Sequence, residues 1–319
     1  MEKPQDFLKE QELCQRIIGE MKKVIVGKDE QLRLMLITML SKGHILIEDV
    51  PGVGKTTAAA ALAKATGLES KRVQFTPDVM ATDISGFTAP DNKTGEFVYK
   101  PGVCMTNILI ADEINRTSPK TQSALLEVME ERQVTVDGTT YKLPEPFMVV
   151  ATQNPVGYMG TYPLPEAQLD RFLMKMSMGY PTPEQEMEII SARKGEDPLQ
   201  AVVPVATAEE VVALQKAVEQ VFVDEKVRDY IVSLVCATRG HQLIDLAASP
   251  RASLSLMRAA SAAALIDGRA FVTPKDVQKL YDAVVSHRIM LAPEAKIERM
   301  TASQLLSSLQ EKVKVPVVK

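Results

Sequence analysis

The sequence predicts an α/β protein in which a parallel sheet, covered by helices on both faces, is followed by a smaller all-helical domain. Five predicted strands alternate with helical patterns over residues 43–178, which favours parallel strands joined by helices. A glycine-rich loop at 49–57 joins the first strand to an alanine-rich helix. The Pro-Thr-Pro segment at 181–183 reads as a linker, followed only by helical patterns. We therefore place the domains at 1–181 and 182–319.

The chain before the first strand is predicted to be helical. From about residue 6 to residue 40 the apolar periodicity indicates two amphipathic helices, and Gly27 within the segment 24–28 favours a break between them. A helix-loop-helix unit therefore leads directly into the sheet. The five strands are predicted at 43–48, 71–75, 107–111, 147–152 and 174–178.

The loop at 49–57 has the chemistry of a polyphosphate site. Its backbone N–H groups point at one spot, where the N-terminus of the following helix adds partial positive charge. Lys55 is expected to reach the β- and γ-phosphates of ATP, and Thr56 to offer its hydroxyl to Mg²⁺. The loop fits the P-loop pattern except at its first position, where Asp49 replaces glycine. The residues expected to bind ATP are Pro51, Gly52, Val53, Gly54, Lys55, Thr56 and Thr57.

Two hairpins are predicted within the first domain. Residues 86–99 contain two short β-prone pieces around a turn-rich centre, as expected for an inserted hairpin. Residues 133–143 are a second candidate, with Asp137 and Gly138 at the turn. Helix starts are signalled by capping pairs at Ser118-Pro119, Thr207 with Glu210, Ser249-Pro250 and Thr273 with Asp276.

Two strands end on polar side chains that suit hydrolysis. The third strand is followed by Asp112 and Glu113, and open parallel sheets deliver such residues to a ligand crevice. Asp112 can hold Mg²⁺ and Glu113 can polarise water, whereas a solvated turn is the alternative for this pair taken alone. The fourth strand leads to Asn154, which either bonds the γ-phosphate or initiates a turn before Pro155.

Composition limits the function classes. The chain of 319 residues carries a formal net charge of −4, which gives no electrostatic support for general nucleic-acid binding. Its three cysteines lie far apart and cannot all pair, so a reducing, cytoplasmic compartment is expected. No segment reaches the roughly 18 continuous apolar residues of a membrane span, so direct membrane insertion is not expected.

These motifs together resemble the AAA+ ATPases, and specifically their MoxR family, from roughly Val24 to Arg288. In that family an acid at the position of Asp49 is ordinary. The resemblance is carried by Asp-Glu-Ile-Asn-Arg at 112–116, Gln-Asn-Pro at 153–155, Leu-Pro-Glu-Ala-Gln-Leu-Asp-Arg-Phe at 164–172 and Ser-Pro-Arg-Ala at 249–252. It implies an AAA+ core followed by a helical lid.

The resemblance adds roles that the residues alone do not establish. Val26 and Gly27 resemble the segment whose backbone holds the adenine. Arg251 resembles the sensor-2 arginine, which couples the lid to the nucleotide, and Asn154 and Arg251 would then sense the γ-phosphate.

Arg171 resembles the arginine finger that reaches the γ-phosphate bound by a neighbouring subunit. The alternative is a surface ion pair with Asp170 or Glu166. A finger supplied in this way leaves the site incomplete in a monomer, so the resemblance implies a homo-oligomer, in this family commonly a hexameric ring.

Both hairpins also fit the branch that includes MoxR and magnesium chelatase, where they face the pore of the ring. Aromatic residues in the hairpins would then touch a client, whereas cross-strand packing is their ordinary role. The aromatic candidates are Phe87, Phe97, Tyr99 and Tyr141.

The function implied is Mg²⁺-dependent ATP hydrolysis by a ring that remodels, matures or activates a client protein complex. A partner with a von Willebrand factor A domain is implied by family analogy. Two alternatives remain open at this point: a nucleic-acid motor of the same branch, which the acidic balance disfavours, and a nucleotide-switched scaffold with negligible turnover.

Overall fold

The computed structural model describes residues 7–93, 95–154, 161–192 and 197–317. The predicted helical start at Asp6, Thr94 in the first hairpin and Pro155 after Asn154 lie outside these residues. The strands in chain order are β1 (Ile45–Glu48), β2 (Ser70–Gln74), β3 (Gly86–Pro90), β4 (Phe97–Pro101), β5 (Ile108–Asp112), β6 (Gln133–Val136), β7 (Thr139–Lys142), β8 (Met148–Gln153), β9 (Met174–Met176), β10 (Ile244–Leu246) and β11 (Met290–Leu291).

Helices account for most of the remaining chain. The α-helices are α1 (Leu8–Lys22), α2 (Asp29–Leu40), α3 (Lys55–Ala65), α4 (Ala81–Ser85), α5 (Pro119–Glu131), α6 (Glu166–Leu169), α7 (Pro183–Ala192), α8 (Ala208–Gln220), α9 (Glu225–Cys236), α10 (Pro250–Ile266), α11 (Pro274–Val285), α12 (Pro293–Ile297) and α13 (Ala302–Lys312). Short 3-10 helices cover Ile114–Arg116, Pro198–Ala201 and Ser286–Arg288.

The central sheet has five parallel strands in the order β2-β5-β8-β1-β9. The five predicted strands are thereby confirmed in number and direction. Side chains alternate between its faces: Ile45 and Ile47 of β1 enter one apolar cluster, whereas Leu46 enters another. Burial of both faces is the environment that favours the apolar runs in β1, β5 and β8. The edge strand β2, of sequence Ser-Lys-Arg-Val-Gln, is in contrast largely exposed.

Both predicted hairpins are confirmed. β3 pairs antiparallel with β4, and β6 with β7. The second hairpin turns at Asp137 and Gly138, with φ values of 49° and 81°, the left-handed pair that a two-residue hairpin turn needs. Tyr99 and Tyr141 stack with ring centroids 4.0 Å apart, so these two aromatics join the hairpins to each other. Phe97, in contrast, is 74% exposed at the start of β4.

The capping predictions are confirmed at three helix starts. Ser118 accepts a hydrogen bond from the Thr121 amide, and capping boxes begin α8 and α11. Ser249 occupies the N-cap position of α10, but its side chain makes no capping bond. Its hydroxyl instead donates to Asp170 Oδ2 at 3.0 Å, because α10 begins beside the segment that leads into β9.

The prediction of an all-helical second domain is wrong in one detail. β10 pairs antiparallel with β11 to form a two-stranded sheet. These strands have three and two residues, too few to show the alternating pattern that reveals a strand in sequence. They pair only because the intervening helices bring residues 244–246 and 290–291 together.

Helices from both sides of the predicted boundary at residues 181 and 182 share one apolar cluster. It includes Leu32 and Met35 of α2 together with Val218 of α8 and Leu256 of α10. The boundary stays a prediction, since this core is continuous. Within the described residues, no helix has both the length and the apolar character needed to cross a membrane.

His44 is a buried, neutral histidine just before β1. The Val149 amide donates to Nδ1 at 2.9 Å, which leaves Nε2 to donate to the Met129 carbonyl at 2.9 Å. Burial is the main cause that lowers the pKa of this imidazole to about 4, although the bond to Met129 opposes the shift. A second proton would point an N–H group at the N–H of Val149.

Acidification is therefore expected to destabilise the fold through His44. The unfolded imidazole binds a proton below about pH 6.5, whereas the folded protein resists protonation down to a pKa of about 4. The loss is absent at neutral pH, begins below about pH 6.5, and reaches roughly 3 kcal/mol near pH 4. Urea unfolding between about pH 7 and pH 5 measures it. His44→Asn should show a shallower pH dependence; an equal slope would exclude this histidine as the cause.

Candidate active site

The glycine-rich loop follows β1 and ends where α3 begins at Lys55. Gly52 and Gly54 have φ values of 90° and 86°, in the left-handed region that side chains avoid. Gly54 is also the N-cap of α3, so the loop turns directly into the helix N-terminus. The strand-loop-helix context expected for a polyphosphate site is present.

Lys55 is largely buried within this loop. Its Nζ donates to the Asp49 carbonyl at 2.7 Å and to the Val50 carbonyl at 3.3 Å. Burial lowers the pKa of the ammonium, and the charges of Asp49, Asp112 and Glu113 oppose that shift. The ammonium group is thus held by hydrogen bonds to two carbonyl groups of the loop itself.

Asp49, which departs from the P-loop pattern, has a structural role. Its Oδ2 accepts hydrogen bonds from the Gly179 amide at 2.7 Å and the Ser177 hydroxyl at 2.8 Å, and its Oδ1 from the Val50 amide at 3.0 Å. Burial opposes ionisation, but these bonds outweigh it and lower the pKa of the carboxyl group. The carboxylate therefore ties the loop to the segment that follows β9.

Thr56 and Asp112 form the centre of a candidate Mg²⁺ site. The Thr56 hydroxyl donates to the two carboxylate oxygens of Asp112 at 3.2 and 3.1 Å. No group of three or more His, Cys, Asp or Glu side chains among the described residues could hold a metal. Mg²⁺ commonly takes only one or two protein oxygens and completes its shell with phosphate and water. The Thr56 and Asp112 oxygens fit that requirement.

Sequence reasoning missed two residues that contact Asp112. Arg72 on the edge strand β2 donates from Nε to Asp112 Oδ2 at 2.7 Å, and the Thr152 hydroxyl donates to Oδ1 at 3.2 Å. Arg72 reaches Asp112 because β2 pairs with β5, and no strand order was predicted from the sequence. The carboxylate is thus oriented from three sides.

Glu113 has a left-handed backbone conformation, with φ of 56°. Its amide donates to the Thr152 hydroxyl at 2.9 Å, and its carboxylate pairs with Arg116 Nε at 3.0 Å. A non-glycine residue in this conformation is uncommon and requires such fixed partners. The backbone conformation of Glu113 is therefore fixed at the strand end, next to Asp112.

Asn154 lies buried at the end of β8, beside the loop. The Asn115 side chain bonds its backbone twice, by donating to the carbonyl at 3.1 Å and accepting from the amide at 3.4 Å. The Asp49 amide donates to the Gln153 carbonyl at 3.4 Å, which links this strand end to the loop. Asn115 is a supporting residue whose role the sequence did not reveal.

Val26 and Gly27 connect α1 to α2 near the loop. Gly27 has φ of 65°, and a Cβ there would lie 2.0 Å from the Gln185 amide nitrogen. Lys28 Nζ donates to the Tyr180 carbonyl at 2.9 Å. The segment expected to hold adenine therefore packs against the start of α7, and Gln185 is a neighbour that sequence reasoning missed.

Arg171 and Arg251 lie together but not with the loop. Both guanidinium groups pair with Glu130, Arg171 from Nε at 3.2 Å and Arg251 from Nη2 at 2.7 Å. They line one cavity of about 300 Å³ with His44 and Leu173, which directly precede β1 and β9. The P-loop follows the opposite end of β1, a strand of four residues and about 13 Å.

The alternative ion pairs considered for Arg171 are not those observed. Arg171 pairs with Glu130 rather than with Asp170 or Glu166. Asp170 is engaged by Arg288, whose buried guanidinium donates from Nε at 2.8 Å. Arg251 likewise pairs with Glu130 and lies away from the P-loop of its own chain.

Comparisons with known proteins agree with this fold. Residues 44–174 match the ATPase family associated with various cellular activities (AAA), and residues 236–309 match the AAA lid domain. A crystal structure of a proposed ATPase from Cytophaga hutchinsonii superposes with a TM-score of 0.91 at 37% identity, covering 98% of this chain and 97% of that one.

Relatives of nearly the same length are found among bacterial proteins. The uncharacterised protein YeaC of Bacillus subtilis is 50% identical over 305 residues, 96% of this chain and 95% of that protein. Chaperone MoxR1 of Mycobacterium tuberculosis is 43% identical over 313 residues, 95% of this chain and 82% of that protein. Protein MoxR of Methylorubrum extorquens is 28% identical over 94% of both chains. The chain therefore belongs to the MoxR family of AAA+ ATPases.

Proposed function

We propose that this protein hydrolyses ATP in a Mg²⁺-dependent reaction as a closed ring, commonly a hexamer in this family, and uses the cycle to remodel client protein complexes. The observation that carries the proposal is the separation of Arg171 and Arg251 from the P-loop of their own chain. Both guanidinium groups suit a γ-phosphate, but they lie away from the P-loop of their own chain. They are therefore suited to the nucleotide site of a neighbouring subunit.

Within one subunit the P-loop residues 51–57 would bind the phosphates and Val26-Gly27 the adenine. Lys55 would then exchange its loop carbonyls for phosphate oxygens. Thr56 and Asp112 would hold Mg²⁺, which when bound neutralises charge on the phosphates. Glu113 would take a proton from the attacking water, and Asn154 would orient that water or the γ-phosphate.

The neighbouring subunit would complete the site with Arg171 and Arg251. Hydrolysis moves charge onto the phosphate oxygens, and guanidinium groups stabilise that charge. The cavity that contains both arginines suits an anion, because six cationic and two acidic side chains line it. Its cationic lining residues are Lys42, Arg132, Arg171, Arg251, Arg258 and Arg288.

The client role rests on relatives rather than on a site within this chain. One relative is named Chaperone MoxR1, and we extend the chaperone-like role and a partner with a von Willebrand factor A domain to this protein by family analogy. Exposed Phe97 on the first hairpin is available to touch a client. A cytoplasmic location is consistent with free Cys14, Cys104 and Cys236.

Steady-state ATP hydrolysis per subunit, measured over a wide range of protein concentration, tests the proposal. The rate should rise with concentration and reach a plateau, in step with assembly followed by light scattering, because each site needs two subunits. The rise should disappear when Mg²⁺ is chelated. A rate that is independent of concentration would exclude a shared site, and tight ATP binding with negligible turnover would favour a nucleotide-switched scaffold.

A further inference from the structure

We propose that Glu130 is the positioning residue that holds Arg171 and Arg251 side by side for the phosphate of the neighbouring subunit. The inference rests on the proposed function and names the residue that prepares its shared site. Glu130 lies one residue before the end of α5. Its Oε1 accepts from Arg251 Nη2 at 2.7 Å, and its Oε2 pairs with Arg171 Nε at 3.2 Å.

Each arginine uses only part of its guanidinium group for contacts within its own chain. Arg171 uses Nε for Glu130 and Nη1 for the Leu126 carbonyl, at 2.7 Å. Arg251 uses Nη2 for Glu130, and its Nε lies 4.0 Å from Asp170 Oδ2. Arg171 Nη2 and Arg251 Nη1 have no hydrogen bond to any residue in the described part of the chain. An arriving phosphate can therefore bind these donors while the carboxylate stays in place.

The excess of cationic side chains in the cavity favours such a carboxylate. Arg171 and Arg251 come from different elements and would repel each other in a cavity that also contains Arg258 and Arg288. The other acid that lines the cavity, Asp170, is already paired with Arg288 at 2.8 Å. Glu130 is thus the carboxylate that lies between the two guanidinium groups.

Glu130 is expected to act by ordering the side chains of Arg171 and Arg251. Both arginines have long, partly exposed side chains, with 32% and 46% of their side-chain surface accessible. Freezing such side chains at the moment of reaction costs conformational entropy. A shared carboxylate fixes both groups before the phosphate arrives, which lowers the barrier of the chemical step rather than strengthening ATP binding.

The test compares Glu130→Gln with Glu131→Gln, which removes the same charge from the adjacent residue of α5. Glu131 forms no ion pair within the described residues. Both variants are assayed at concentrations where assembly is complete by light scattering. Glu130→Gln should lower kcat roughly 10-fold with the Kd for ATP unchanged. The melting temperatures of both variants and the kcat of Glu131→Gln should stay at the wild-type values.

A triple variant separates positioning from a structural effect. In an Arg171→Ala, Arg251→Ala background, adding Glu130→Gln should cause no further loss of kcat, because the carboxylate acts through these arginines. An unchanged or increased kcat in Glu130→Gln alone, or an additive loss in the double-arginine background, would overturn the inference. If the two arginine substitutions leave kcat unchanged, the shared site itself is refuted.

Discussion

Replacing Glu113 by glutamine is expected to reduce ATP turnover by roughly 10²–10⁴-fold while ATP binding persists. The carboxylate is the proposed acceptor of the proton from the attacking water, and an amide of the same shape cannot accept it. The backbone of Glu113 is fixed by the Thr152 hydroxyl at 2.9 Å, so the substitution should leave the geometry of the strand end intact. Steady-state phosphate release and equilibrium binding of ATP measure the two properties separately.

The matched control for this experiment is Glu131→Gln, an identical chemical change at a glutamate to which no role is assigned. It should retain wild-type turnover. Arg116→Ala tests the ion pair beside the proposed proton acceptor. Arg116 pairs with the Glu113 carboxylate at 3.0 Å, and loss of the arginine should leave that carboxylate free to accept a proton. Unchanged turnover in Glu113→Gln, with ATP still bound, would show that another group polarises the water.

Arg171→Ala is expected to lower turnover by up to roughly 10³–10⁵-fold, the range measured for arginine fingers in other nucleotide hydrolases. The decisive experiment mixes this variant with Lys55→Ala, which should be inactive for a different reason. An Arg171→Ala subunit retains Lys55, and a Lys55→Ala subunit retains Arg171. When the two are mixed in equal amounts, about one site in four should combine both intact residues and recover activity.

Recovery on mixing separates action between subunits from action within one. If both residues served the same nucleotide within a single chain, no mixed ring would contain a complete site. Mixing two batches of the same variant provides the control and should recover nothing. Absence of recovery, with mixed assembly verified by differently tagged subunits, would contradict the role proposed for Arg171.

Local features were predictable from the sequence because they depend on neighbouring residues. The five parallel strands follow from the alternation of strand and helix patterns, and the left-handed turn at Asp137 and Gly138 from residues that tolerate positive φ. The loop around Lys55 follows from glycine spacing between strand and helix. In the structure the strand-end acids and Asn154 lie beside this loop, because parallel strands bring their carboxyl ends to one edge.

Contacts between distant segments were not predictable from patterns. The Asp49 carboxylate binds the amide of Gly179, 130 residues away. Arg72 on β2 binds Asp112 on the neighbouring strand β5. The two short strands β10 and β11 likewise carry no alternating signal of their own. Each of these contacts exists because separate elements meet, and no spacing along the chain encodes such a meeting.

The arginine pair shows the division between the two levels most clearly. By itself, the sequence determined the fold class, the P-loop, the strand-end acids and the identity of Arg171 and Arg251 as candidates. Only the tertiary structure decided that the two arginines share Glu130. It also placed them near the start of β1, whereas Lys55 follows the opposite end of that strand. The physical reason is that periodicity and spacing report local geometry, whereas the position of a charge relative to a distant site depends on how the elements pack.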